Sequence, residues 1–169
     1  MPRFHLLSVI ISVWLLASCS PDLPEEVAAA REDLPARLDY NTHVKPVLSD
    51  KCFACHGPDK AKQKADLRLD TPEGAYASLV ESPGKVAIAP GNLNRSEVFH
   101  RILSSDPSYM MPEPSSHLSL SDREKAILIK WIEDGAVYKP HWAFVKPEIP
   151  DIPEVDNKSW VVNPIDNFV

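Results

Sequence analysis

Cys52-Phe53-Ala54-Cys55-His56 places two thiols three positions apart with an imidazole directly after the second. This is the attachment spacing of a c-type haem. Thiols so separated on a helical turn each form a thioether to a haem vinyl group, and the adjacent imidazole is carried under the iron as its proximal ligand. The competing use of such a pair is half of a zinc site, which needs further ligands elsewhere in the chain. The sequence has three cysteines in all, so zinc would have to recruit histidines such as His43, His100 or His117. Haem c, one per chain, is therefore the expected cofactor, held by Cys52, Cys55 and His56.

Upstream, the remaining cysteine has its own context. Residues 1–18 start with Arg3 as the positive residue and run from Leu6 to Ala17 as an apolar core of about a dozen residues, shorter than the roughly 20 that span a bilayer. This pattern is an export signal. Its end, Leu16-Ala17-Ser18-Cys19, resembles the lipobox of bacterial lipoproteins, in which the cysteine is lipidated and becomes the new amino terminus. An ordinary signal peptide with an incidental cysteine is the alternative. By the same resemblance, Ser20 in place of an aspartate favours the outer membrane over the inner. The expected location is thus the periplasmic side of the cell envelope, lipid-anchored through Cys19, where c-type haem is attached. With Cys19 acylated and the other two cysteines holding haem, no thiol is left for a disulfide.

Composition divides the rest of the chain. Residues 19–38 carry Pro21, Pro24 and Pro35 among acidic residues and are expected to form a flexible tether, with Val27-Ala28-Ala29-Ala30 too brief to build a core. Residues 39–137 hold nearly all of the periodic apolar signal and have the size of one small domain. Pro46 stands near a helix start, and Val44, Val47, Leu48 and Cys52 follow at helical spacing, bringing the apolar face and the attachment motif to one side. Gly57-Pro58 ends that element. Lys60, Lys62 and Lys64 come next, read as a solvated loop, with docking of a redox partner as the functional alternative.

Thr71-Pro72-Glu73 is a helix start leading into Ala75 to Val80, and Asn94 with Glu97 opens another, with Val98, Phe99, Ile102 and Leu103 on its apolar face. His100 lies off that face. After Asp106-Pro107, the stretch Tyr109-Met110-Met111-Pro112-Glu113-Pro114 is held extended by its prolines. A haem with one histidine that carries electrons without binding small molecules takes a sixth ligand, usually a methionine, which raises the reduction potential. The sequence has three methionines, Met1, Met110 and Met111, and Met1 leaves with the signal. Met111 is the first choice because it directly precedes Pro112. Met110 is the alternative, His117 is a weaker candidate, and simple core packing by both methionines is the bland reading.

Ser121-Asp122-Arg123-Glu124 is a capping box opening a helix with Ile127, Leu128, Trp131 and Ile132 on one face and Gly135 as its stop. This order of parts resembles the class I cytochrome c fold, a small all-α domain around its haem. More closely, residues 40–144 resemble the planctomycete-type cytochrome c domain. The segments that carry the likeness are Val44-Lys45-Pro46-Val47-Leu48, Lys51 to Asp59, Leu67-Arg68-Leu69-Asp70-Thr71, Ala89-Pro90-Gly91-Asn92, Met111-Pro112, Trp131 to Ala136 and His141-Trp142-Ala143-Phe144. The family often has a second proline after Met-Pro, where this chain has Glu113.

In that family the haem domain commonly precedes large further domains, so the resemblance makes residues 138–169, rich in proline, a linker and the start of a possible following domain. The formal charge of −6 comes with no basic surface suited to nucleic acid. The expected function is electron transfer by a His/Met-ligated haem. Partners would be a redox protein or downstream domains of the same polypeptide, and the membrane through the lipid anchor. No acid–base constellation marks the chain as an enzyme. The alternative is a haem sensor, or an accessory haem domain of a larger exported enzyme.

Overall fold

In the computed structural model, which describes residues 21–147 and 149–169, the chain divides into two compact units, the first ending at Lys139 and the second running from Pro140 to Val169. Residues 1–18 with their expected signal, and Cys19, lie outside the described residues. The first unit is helical, as expected. Among the described residues there is no strand, and the only bridges are the isolated pairs Ser78–Val86 and Val86–Ser96.

The expected tether contains a helix, α1 (Glu25–Glu32), which packs against the closing helix of the unit. Val27 and Ala30 share one face of α1, and Leu23 and Leu34, flanking the helix at the same four-three-four spacing, join them against the core, with Val27 only 1% exposed. Arg31 pairs with Glu133 on the closing helix. Acidic composition and three prolines suggested solvation; a sparse apolar stripe outweighs them because a ready surface is there to bury it.

Tyr40–Val44 forms a π-helical turn that runs into α2 (Lys45–Lys51), with Pro46 in the first turn and Val44, Val47 and Leu48 buried as the spacing predicts. Cys52 joins α2 to the short α3 (Phe53–His56). Gly57 then turns the chain tightly: a Cβ there would stand 2.3 Å from the carbonyl oxygen of Phe53, so only glycine fits.

Helix α4 (Pro72–Tyr76) is capped by Thr71, whose hydroxyl accepts the Gly74 N–H at 3.2 Å, but it stops at Tyr76 and Val80 is exposed. Ala77 is already extended. Helix α5 (Glu97–Leu103) has its cap at Ser96, two residues after the expected cap at Asn94. Asn92 instead caps the 3-10 turn Leu93–Arg95, and the buried Ser96 hydroxyl bonds back to the Asn92 carbonyl at 2.8 Å.

The closing helix α6 (Asp122–Glu133) carries the capping box as read: the Glu124 N–H donates to the Ser121 hydroxyl at 3.3 Å and the Ser121 N–H donates to the Glu124 carboxylate at 2.7 Å. Gly135, with φ +99°, ends it in the left-handed region. Trp131 is core packing. It lies against Tyr40 and Tyr138 at centroid distances of 5.9 and 5.1 Å, and its indole N–H donates to the Val137 carbonyl at 3.1 Å.

Tyr138 belongs to the same aromatic cluster, and Lys139 reaches Asp39 at 3.0 Å, so the compact unit continues past the boundary expected at residue 137. In the second unit, 3-10 turns cover Trp142–Phe144 and Pro164–Phe168. Its described residues include none that is buried, and Phe144, Ile149 and Val162 are exposed. Among the described residues, no helix is long and apolar enough to cross a membrane.

Candidate haem site

The attachment motif lies where α2 gives way to α3. The N–H groups of Cys55 and His56 both donate to the Cys52 carbonyl, at 3.1 and 2.8 Å, closing one turn that holds both thiols and the imidazole. The segment after the motif is stitched back onto it. Lys64 N–H donates to the Cys55 carbonyl and Leu69 N–H to the His56 carbonyl, each at 2.8 Å.

Against this turn opens a cavity of about 480 Å³. Cys52, Cys55 and His56 line it together with Met111, and apolar walls come from Leu67, Leu69, Val98, Ile102, Leu118 and Leu120. Burial pushes the Cys52 thiol up to about 12. It also holds the His56 imidazole below its ordinary value, favouring the neutral form that binds a metal. His56 Nδ1 is buried with no hydrogen-bond partner. An apolar recess with two thiols, a buried imidazole and a thioether on its surface fits a large apolar ring with a central metal.

Met111 is on the cavity and Met110 is not among the residues that line it. The two N–H groups already diverge, that of Met110 donating to the Asp106 carbonyl at 2.8 Å and that of Met111 to the Arg101 carbonyl at 3.0 Å. The Met111–Pro112 peptide is cis. His43, His100 and His117 do not line the cavity. His43 Nδ1 accepts the Asp39 N–H at 2.9 Å, the His100 ring donates to the Asn94 carbonyl at 2.9 Å, and His117 is exposed in a left-handed turn. Among the described residues no group of three or more His, Cys, Asp or Glu side chains is arranged to hold a metal ion, so no zinc set assembles around Cys52 and Cys55.

With the motif, the cavity and the methionine loop in place, comparison with known families bears on the same stretch. Residues 52–115 match the planctomycete cytochrome C family. The matched segment starts at Cys52 and runs past Met111-Pro112, so the parts of the cavity nearest the motif and the loop fall within it. No curated protein and no solved structure matches the chain. A planctomycete cytochrome C domain implies haem c, and Cys52, Cys55 and His56 have the spacing to attach it.

One feature of the rim has no counterpart in the sequence pattern. Lys64, expected in a solvated loop, pairs with Glu113 at 3.1 Å, and both residues line the cavity. The pair links the stretch of chain after the motif to the loop after Met111, and Glu113 is the residue that replaces the family's second proline. Forty-nine positions separate the partners, and no local pattern announces them.

Proposed function

We propose that the first unit is a one-electron carrier with a covalently attached haem c, whose iron His56 and Met111 would ligate. The observation that carries this reading is the convergence of both thiols, His56 and Met111 on one apolar cavity. The bound haem supplies an iron that cycles between two oxidation states, at a potential raised by thioether ligation. Cys52 and Cys55 would hold the ring through thioether bonds, and His56 presents a neutral imidazole from the same turn. Leu67, Leu69, Val98 and Ile102 exclude water from the ring, which favours the less charged, reduced state. Met111 would offer its thioether to the iron from a loop tied to α5. The chain itself then carries out no substrate chemistry. Its partners are redox proteins, or further domains of the same polypeptide, on the periplasmic side of the envelope, where Cys19 anchors the chain through lipid.

The test is ligand replacement in protein produced with haem attached. The oxidised protein should show the weak long-wavelength absorption band of a thioether on iron. Met111→Ala should abolish it, lower the reduction potential and open the iron to carbon monoxide, with haem still covalently bound, whereas Met110→Ala should do none of these. Loss of the band in Met110→Ala instead would shift the ligand by one position. Ready carbon monoxide binding by the unaltered protein would turn the reading toward a haem sensor.

A further inference from the structure

The loop that carries Met111 is gripped from behind by a charged cluster that electron transfer itself does not use. Glu97, in the first turn of α5, is 7% exposed, and its Oε2 accepts the hydroxyl hydrogen of Tyr109 at 2.9 Å. Lys85 Nζ lies 2.7 Å from its Oε1, and Arg101 Nε, one turn along the helix, lies 3.6 Å from Oε2. The Arg101 guanidinium stacks over the Tyr109 ring, 4.5 Å from its centroid, and Nη1 donates to the Tyr109 carbonyl at 3.3 Å. Arg101 then accepts the Met111 N–H with its own carbonyl at 3.0 Å. Tyr109 is thus held at its ring, its hydroxyl and its carbonyl, and Met111 at its backbone, all from one helix.

A carboxylate this enclosed is costly unless it is paired. Burial alone raises the Glu97 pKa, and the hydrogen bonds from Lys85 and Tyr109 outweigh it and hold the carboxyl below its ordinary value. A surface ion pair could be spared; a buried acceptor with two donors and a further cation beside it is a built device.

We propose that Glu97 and Tyr109 are positioning residues, which hold the 109–112 loop against α5 and so keep the Met111 sulfur on the haem side of the cavity. This rests on Met111 being the sixth ligand. The loop is short: the Tyr109 and Met110 N–H groups bond to the nearby Asp106 carbonyl, and besides the Glu97 bond only the two Arg101 hydrogen bonds tie it to α5, so its opening should be a local event, separate from unfolding of the unit. A hydrogen bond to a charged group is strong enough that its loss raises the open fraction about tenfold or more.

The experiment mixes the reduced, haem-loaded full chain with carbon monoxide and follows the rate at which the gas replaces the sulfur. Tyr109→Phe keeps the ring and removes the hydroxyl; Glu97→Gln keeps the shape and removes the charge. Each should speed binding about tenfold, and the double variant should be scarcely faster than either single one, because both act on the same Tyr109–Glu97 hydrogen bond, one removing its donor and the other the charge that strengthens it. Ile129→Val, in the core of α6, should lower the unfolding midpoint and leave the carbon monoxide rate unchanged. Rates within about twofold of the unaltered protein in both loop variants would overturn the proposal. Acceleration by Ile129→Val equal to theirs would also overturn it, since general loosening would then explain the effect. Fast binding by the unaltered protein, with no thioether band, would instead remove the ligation reading beneath it.

Discussion

The Tyr138 hydroxyl donates to the carbonyl of Leu69 at 2.9 Å, across 69 residues of chain. Leu69 is a wall of the cavity that Cys52, Cys55 and His56 line, so the segment that follows α6 clamps the segment that follows the Cys-x-x-Cys-His turn. Tyr76 reinforces the clamp by donating to the Ala136 carbonyl at 2.7 Å. Burial drives the Tyr138 phenol well above the ordinary tyrosine value, which keeps it protonated as the donor.

Tyr138→Phe should therefore destabilise the unit by about 1 kcal/mol or more, since it leaves a carbonyl without its donor while keeping the aromatic packing. Denaturant unfolding of the haem-loaded protein measures it. An unchanged midpoint would mean that water replaces the hydroxyl at no cost.

Val27→Ala should lower stability by about 2 kcal/mol, because two methyl groups leave a buried position on α1. A segment acting only as a tether would show no change, so the same unfolding measurement decides between a docked helix and a free linker.

Glu97→Gln should be less stable than the unaltered protein at neutral pH, and the gap should close in acid. The Glu97 carboxyl is held below its ordinary 4.5. A depressed carboxylate contributes stability above its unfolded value, and that contribution fades as pH falls through the folded value. Stability curves taken from neutral pH down to about pH 3 should converge only below 4.5. Parallel curves would show that the carboxyl is not linked to folding.

Cys19→Ser should move the protein from the membrane fraction to the soluble periplasmic fraction, because among the described residues no helix can cross a membrane. Retention of the variant in the membrane would place the anchor elsewhere.

Local patterns in this chain were legible wherever the interacting residues are close in sequence. The capping box at Ser121 and Glu124 spans three positions, and the turn at Cys52–His56 is closed by hydrogen bonds within itself. The Asn94 cap was misplaced because Asn92 and Asn94 offer the same side chain two positions apart, and burial of Ser96 selected between the resulting registers. Helix α4 ended early because Leu79 and Lys85 pair through their backbones at 2.8 Å, which draws the chain out of the helix.

By itself the sequence determined the Cys52–Cys55–His56 spacing that a c-type haem requires, the helical class and the two methionines proposed as a sixth ligand, because thiol spacing, apolar periodicity and prolines act over a few residues. Tertiary structure alone decided that α1 docks through Val27 and Arg31, and that Met111 rather than Met110 faces the cavity. It alone brought Lys64 to Glu113 and Glu97 to Tyr109. Those choices join segments whose separation in sequence carries no periodic signal, so the burial of one chain segment against another selects them.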